Sequence, residues 1–277
     1  MRVYNVDLAK EYNRKGGKLS CLLVDEPHDV RSDEWKRPAV IIVPGGAYKM
    51  VSKREGEPVA LEFLSRGFHA FILEYVVAGE NGLPYPEQLL ELASAVDYVK
   101  KHAKEMRVNE KEIFVVGFSA GGHLTGNLAV DYASVSDMAG QLLDCKPTAV
   151  GLCYPVISKI HGHQGSYNNL LHGYSDEEKT ALMKKLNLDF AVTKETPPAF
   201  LWTTAEDGSV PADNAIRFAM SLGAKGIPYE LHVYPKGWHG TSTGSYEINA
   251  DNECLERIQA WKDDCANFFR LFIEEKF

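Results

Sequence analysis

Ser119 occupies the centre of Gly117-Phe118-Ser119-Ala120-Gly121, directly after the apolar run Ile113-Phe114-Val115-Val116 and before a helix-compatible segment, 124–132. A serine on a glycine-flanked turn between strand and helix has strained backbone angles. Its hydroxyl is held at a helix N-terminus, where N–H groups face incoming negative charge. Gly-x-Ser-x-Gly alone also serves ordinary tight turns. The strand before it and the helix after it are what make Ser119 the expected nucleophile.

A serine hydroxyl is a poor nucleophile at neutral pH. It needs a base within reach, and the base needs an acid to fix its tautomer. Asp207 lies in Glu206-Asp207-Gly208-Ser209, just past the apolar run 199–204, and His239 lies in Gly237-Trp238-His239-Gly240, just past the run 228–234. Both therefore fall in loops at strand ends, where such partners are needed. Asp-Gly is also a common turn pair, and Glu206 and Asp213 are rivals for the acid, but the loop position favours Asp207. Among the other histidines, His69 and His232 fall inside strand runs, and His161, His163 and His172 in a polar insertion. His123 falls on the turn helix, where packing or a polar contact supporting the site is the expected role.

The negative charge of a tetrahedral intermediate needs preorganised N–H donors. Ala120 supplies one as the residue after the nucleophile. The loop Pro44-Gly45-Gly46-Ala47-Tyr48, after the run 38–43, is placed to supply another from Gly46, with Ala47 as second choice. A plain tight turn would use the same glycines.

These residues require strands that end on one edge. Continuous apolar or β-rich runs at 19–25, 38–43, 68–75, 113–116, 148–154, 199–204 and 228–234 alternate with helical patterns at 58–66, 89–104, 124–132, 211–222 and 255–274. Residues 26–37 read as a loop. The alternation predicts an α/β fold: a mostly parallel central sheet of seven or eight strands flanked by helices, with ligands at the carboxyl ends. One domain over residues 1–277 is expected. Residues 156–195 break the rhythm, first polar and then helical through 177–186, and are too long for a simple crossover. A small cap insertion over the site is the natural reading.

The 277 residues are 45% hydrophobic and 25% charged, an ordinary globular profile. Thirty Lys and Arg against thirty-eight Asp and Glu leave a formal charge of −8, which argues against nucleic acid or an anionic membrane as partner. A small molecule is the expected partner, and a homo-oligomer stays open. Residues 1–7 lack a basic segment followed by an apolar run, and no apolar stretch reaches the ~20 residues of a membrane span. Neither a signal peptide nor an anchor is expected. The five cysteines (Cys21, Cys145, Cys153, Cys254, Cys265) are widely spaced without a C-x-x-C pair, so neither zinc nor a disulfide framework is expected, and a reduced cytoplasm is the default.

Taken together, Pro-Gly-Gly-Ala-Tyr (44–48), Gly-Phe-Ser-Ala-Gly-Gly-His-Leu (117–124), Thr-Pro-Pro-Ala-Phe-Leu-Trp (196–202), Glu-Asp-Gly-Ser-Val-Pro-Ala (206–212) and Gly-Trp-His-Gly (237–240) resemble the α/β-hydrolase esterases of the acetyl-xylan-esterase-like and hormone-sensitive-lipase-like type. The resemblance runs from about residue 38 to 272. Ser119, Asp207 and His239 match that family's triad positions one by one, and Pro44-Gly45-Gly46-Ala47 stands where lipase-like members carry His-Gly-Gly-Gly. It implies hydrolysis of short acyl esters, often acetylated sugars, without a cofactor. Two other readings stay open: a peptidase or amidase of the oligopeptidase type, and a non-catalytic ligand-binding protein on the same fold.

Overall fold

The structure, a computed structural model, describes residues 1–25, 35–249 and 255–273. Eight strands form one sheet: β1 (Arg2–Asp7), β2 (Lys18–Leu23), β3 (Arg37–Val43), β4 (His69–Glu74), β5 (Val108–Phe118), β6 (Ala149–Cys153), β7 (Ala199–Thr204) and β8 (Tyr229–Tyr234). Their order is β1-β2-β4-β3-β5-β6-β7-β8. The pairs β1·β2 and β2·β4 are antiparallel, and every pair from β4 to β8 is parallel.

The apolar runs alternate between two cores because side chains along a strand point to opposite faces. In β3, Ala39, Ile41 and Val43 join one core, and Val40 and Ile42 the other. The first face is covered by helices Glu87–Lys101, Ala120–Asp131 and Asp213–Ala224, and their buried residues Leu92, Val96, Leu124 and Phe218 complete it. The second is an aromatic layer. Phe114 of β5 stacks on Phe269 at 4.4 Å, and Trp202 of β7 on Trp261 at 5.5 Å. Helix Glu57–Ser65 lies on this same face through Phe63.

The seven runs read from the sequence are present, β5 being longer than the run 113–116. β1 adds an eighth strand. It is an edge strand with five of its six residues exposed, so hydrophobic periodicity gives it no signal. The single C-terminal helix expected over 255–274 is instead two helices, Leu255–Ile258 and Trp261–Arg270. Trp261 opens the second and donates its indole N–H to Ser242 O at 3.0 Å. Position 274, most of the 26–37 loop and Cys254 lie outside the described residues. The other four cysteines are buried free thiols. Between β6 and β7 the chain forms helices Gln164–Leu170 and Asp176–Leu186 and a 3₁₀ turn, Leu188–Phe190. The second helix starts with a Ser175/Glu178 capping box. No described helix is long and apolar enough to cross a membrane.

Candidate active site

The loops after β3, β5, β6, β7 and β8 all leave the same edge of the parallel sheet. Ser119 follows β5 in the left-handed region, at φ 53° and ψ −117°, and begins helix Ala120–Asp131. Its N–H donates to Cys153 O at 3.0 Å, and its carbonyl accepts from His123 and Val156 N–H. A Cβ on Gly121 would lie 2.1 Å from Val43 O. Only glycine therefore lets the helix start pack against the end of β3.

Ser119 Oγ and His239 Nε2 are 2.8 Å apart, and His239 Nδ1 lies 2.7 Å from Asp207 Oδ2. Asp207 accepts the Nδ1–H, so Nε2 directs its lone pair at the serine hydroxyl. The second oxygen of Asp207 accepts from Ser209 and Val210 N–H at 2.9 and 2.8 Å. The turn-forming and the histidine-orienting readings of Asp207 thus hold at once, one on each oxygen. Both rival acids are engaged elsewhere, Glu206 near Lys236 and Asp213 near His161. The His239 loop is tied to β7 by Thr204 Oγ1, which donates to Gly237 O at 2.7 Å. The edge of the Tyr154 ring meets the imidazole at 5.1 Å.

In the loop after β3 every carbonyl from Pro44 to Tyr48 is hydrogen-bonded. Pro44 O accepts from Tyr75 O–H, Gly45 O from Ser52 N–H, Gly46 O from Lys49 and Met50 N–H, Ala47 O from Asn169 Nδ2, and Tyr48 O from Ala78 N–H. Gly45 N–H donates to Glu55. Among the described residues no hydrogen bond occupies the N–H groups of Gly46, Ala47 or Ala120. Gly46 has φ 124°, and Ala47 and Tyr48 have φ 54° and 59°. A Cβ on Gly45 would lie 2.8 Å from Ser119 Cβ, so this loop lies against the serine turn. Unpaired N–H groups beside a histidine-activated hydroxyl can hold negative charge while the hydroxyl attacks a carbonyl.

His123 is buried and forms no part of the Ser119–His239–Asp207 chain. Its Nε2–H donates to Leu186 O at 2.9 Å, leaving Nδ1 to accept from Tyr48 O–H at 2.8 Å. Burial pulls its pKa down to about 4, against the effect of the Leu186 bond. No described group of three or more His, Cys, Asp or Glu side chains could hold a metal ion.

Two residues of the surroundings escape sequence reasoning in any functional role: Glu55 lies in a Lys-Arg-Glu run that reads as surface, and Tyr154 reads as the end of a strand. Asn168 and Asn169 read from the sequence as polar insertion residues compatible with a sugar or other polar alcohol, but nothing in the sequence signals the contact of Asn169 with Ala47. The only local signal is Pro155 after Tyr154, which marks a strand end.

The chain is similar to several known proteins. The BD-FAE family model matches residues 29–222. Endo-1,4-beta-xylanase B of Butyrivibrio fibrisolvens is 37% identical over 79% of this chain and 35% of its own length. The acetylxylan esterase of Xylanibacter ruminicola is 29% identical over 80% of this chain and 45% of its own length. The chain thus spans less than half of either relative. Among solved structures, the acetyl ester-xyloside bifunctional hydrolase of Caldicellulosiruptor lactoaceticus superposes with TM-score 0.77 at 32% identity, over 92% of this chain and 87% of that one. A carboxylesterase from Lactobacillus plantarum WCFS1 superposes over 100% of both chains with TM-score 0.88 at 22% identity, a likeness of fold.

Proposed function

Because the chain belongs to the BD-FAE family, whose α/β-hydrolase fold it has, we propose that it is a serine carboxylesterase acting on short acyl esters of sugars or similar polar alcohols. The observation that carries this reading is the continuous hydrogen-bonded chain Ser119–His239–Asp207, at 2.8 and 2.7 Å. It stands beside a loop whose N–H groups at Gly46 and Ala47 have no other partner among the described residues.

In this reading Ser119 Oγ attacks the ester carbonyl while His239 Nε2 takes its proton. Asp207 holds the tautomer and stabilises the imidazolium. Gly46, Ala47 and Ala120 N–H hold the oxyanion, each donor contributing a few kcal/mol. His239 returns the proton to the leaving alcohol. Water, activated by the same imidazole, then hydrolyses the acyl-enzyme and restores Ser119. No cofactor enters. The segment 156–195 acts as a cap over the alcohol side of the site, an assignment supported by the Asn169 contact to Ala47. The acetyl preference is supported by the relatives whose names specify acetylxylan and acetyl ester substrates.

The test is a panel of p-nitrophenyl acyl esters, an acetylated xylo-oligosaccharide and a p-nitroanilide. Faster turnover of acetate than of octanoate, abolished in Ser119→Ala, is the expected result. Comparable anilide turnover moves the assignment to an amidase, and no turnover of any ester by folded protein sinks it.

A further inference from the structure

Glu55 is a buried acid at the site that the esterase reaction does not use. It closes the 3₁₀ turn Lys53–Glu55 and is only 3% exposed. Burying a carboxyl group is costly unless its oxygens are hydrogen-bonded. Here both are, and neither partner is a cation. Oε2 accepts from Gly45 N–H at 2.8 Å, and Oε1 accepts from Tyr154 O–H at 2.7 Å.

Each partner leads to a different half of the site. Gly45 immediately precedes Gly46 and Ala47, whose N–H groups are the proposed oxyanion donors. Tyr154 Oη in turn accepts from Ser242 N–H at 3.0 Å, three residues past His239, and the Tyr154 ring packs edge-on against the His239 imidazole. A second link runs alongside, since Ser242 Oγ donates to Arg54 O at 2.6 Å.

The connected loops hold strained backbone. Ala47, Tyr48, Ser119, Tyr154 and Ser242 all have φ between 37° and 59°. Such angles persist in residues other than glycine only where the surroundings over-determine them. Burial, with Glu55 beside it, holds the Tyr154 hydroxyl well above its ordinary range, so this hydroxyl remains a proton donor to Glu55.

We propose that Glu55 is a positioning residue that sets the oxyanion loop and the His239 loop against each other through Gly45 on one side and Tyr154 and Ser242 on the other. The inference rests on the esterase reading of the same site. Glu55 touches no reacting atom, so its loss misplaces the donors and the base while the substrate still binds. This predicts a defect in kcat with little change in KM.

The experiment compares the 277-residue chain with Glu55→Gln, Tyr154→Phe and the double variant on p-nitrophenyl acetate, counting active serines with a fluorophosphonate. Gln preserves shape but presents an N–H₂ group to one of two donors, and Phe removes one hydroxyl. Each single variant is expected to lower kcat per labelled serine about ten- to a hundredfold, with KM within about threefold of wild type. The double variant is expected to be no slower than the slower single one, because both cut the same connection. Wild-type kcat per labelled serine in Glu55→Gln, with only the melting temperature or the labelled fraction reduced, overturns the proposal. So do losses that multiply in the double variant. Failure of the esterase reading itself is separate, since the wild type would then hydrolyse no ester and take no label, and this inference would fall with it.

Discussion

The side-chain amide of Asn169, between β6 and β7, donates to the carbonyl oxygen of Ala47 at 2.9 Å, in the loop that follows β3. The backbone of Asn169 is held as well, because its carbonyl accepts from Gly79 N–H at 3.1 Å. Asn169 therefore sets the orientation of the Ala47 carbonyl. Removing this bond in Asn169→Ala frees a peptide next to the proposed oxyanion donors. A net hydrogen-bond contribution of about 1 kcal/mol corresponds to roughly a five- to tenfold fall in kcat. Asn169→Asp turns an oxygen toward an oxygen and is expected to fall further. Steady-state kinetics on an acetyl ester decide it, and an Asp variant as fast as wild type defeats the positional role.

Asp207 divides its two oxygens between two tasks, and substitution separates them. The side chain introduced by Asp207→Asn retains an oxygen that can accept from Ser209 and Val210 N–H, as Oδ1 does in the native chain. It presents an amide donor to His239 Nδ1, which forces the proton to Nε2 and leaves Ser119 without a base. The expected outcome is a fall in kcat of about 10³- to 10⁴-fold at nearly unchanged melting temperature. Asp207→Ala should lose the same activity and also stability, since two N–H donors of a buried turn lose their acceptor. Activity in Asp207→Asn within about tenfold of wild type would exclude the orienting role.

The legible parts of the chain are those where local sequence and tertiary role coincide. β3 shows as a continuous apolar run because both its faces are buried. Ser119 is conspicuous because a strand, a sharp turn and a helix must adjoin in sequence, and Asp207 and His239 because each directly follows a strand. Glu55 is different. Its burial comes from contact with Tyr154, 99 residues away, and a Lys-Arg-Glu run has no pattern that separates a buried acid from a solvated one. Asn169 is legible as a polar residue of the insertion, but its contact with the Ala47 carbonyl, 122 residues away, is not. The exposed edge strand β1 and the break before Trp261 likewise depend on neighbours that local periodicity does not encode.

His123 makes stability fall on the acid side. Burial pulls its pKa from 6.5 to about 4, so below 6.5 the unfolded chain takes up a proton that the folded chain refuses. The stabilisation is complete above 6.5 and is lost as the pH falls through about 4. His69, pulled to about 3 by burial and then by Arg37 and Arg2, adds to the same trend. Melting curves from about pH 7 to 4.5 should show a steeper decline for wild type than for His123→Leu, although the Leu variant melts lower at neutral pH because Tyr48 Oη and Leu186 O lose their partner. Parallel curves would contradict a neutral buried imidazole.

Glu91 acts in the opposite direction. It is fully buried on helix Glu87–Lys101, where Oε2 accepts from Val76 N–H at 2.7 Å and Oε1 has no partner among the described residues. Burial raises its pKa from 4.5 to about 8. The Val76 bond opposes this, nearby Glu87 adds to it, and Arg14 opposes it in turn. Between these two values the unfolded chain releases a proton that the folded chain keeps. Stability is therefore complete below about 4.5 and is lost as the pH rises through about 8. A tenfold difference in proton affinity between folded and unfolded chain corresponds to about 1.4 kcal/mol, so the loss across this window is on the order of a few kcal/mol. Glu91→Gln keeps an oxygen for Val76 N–H and has no proton to lose. Its melting temperature, relative to wild type, should rise steadily from about pH 5 to about pH 8 and level off beyond. A difference that stays constant across that range would mean that Glu91 is already ionised in the folded chain at the acid end, held so by Arg14 despite its burial.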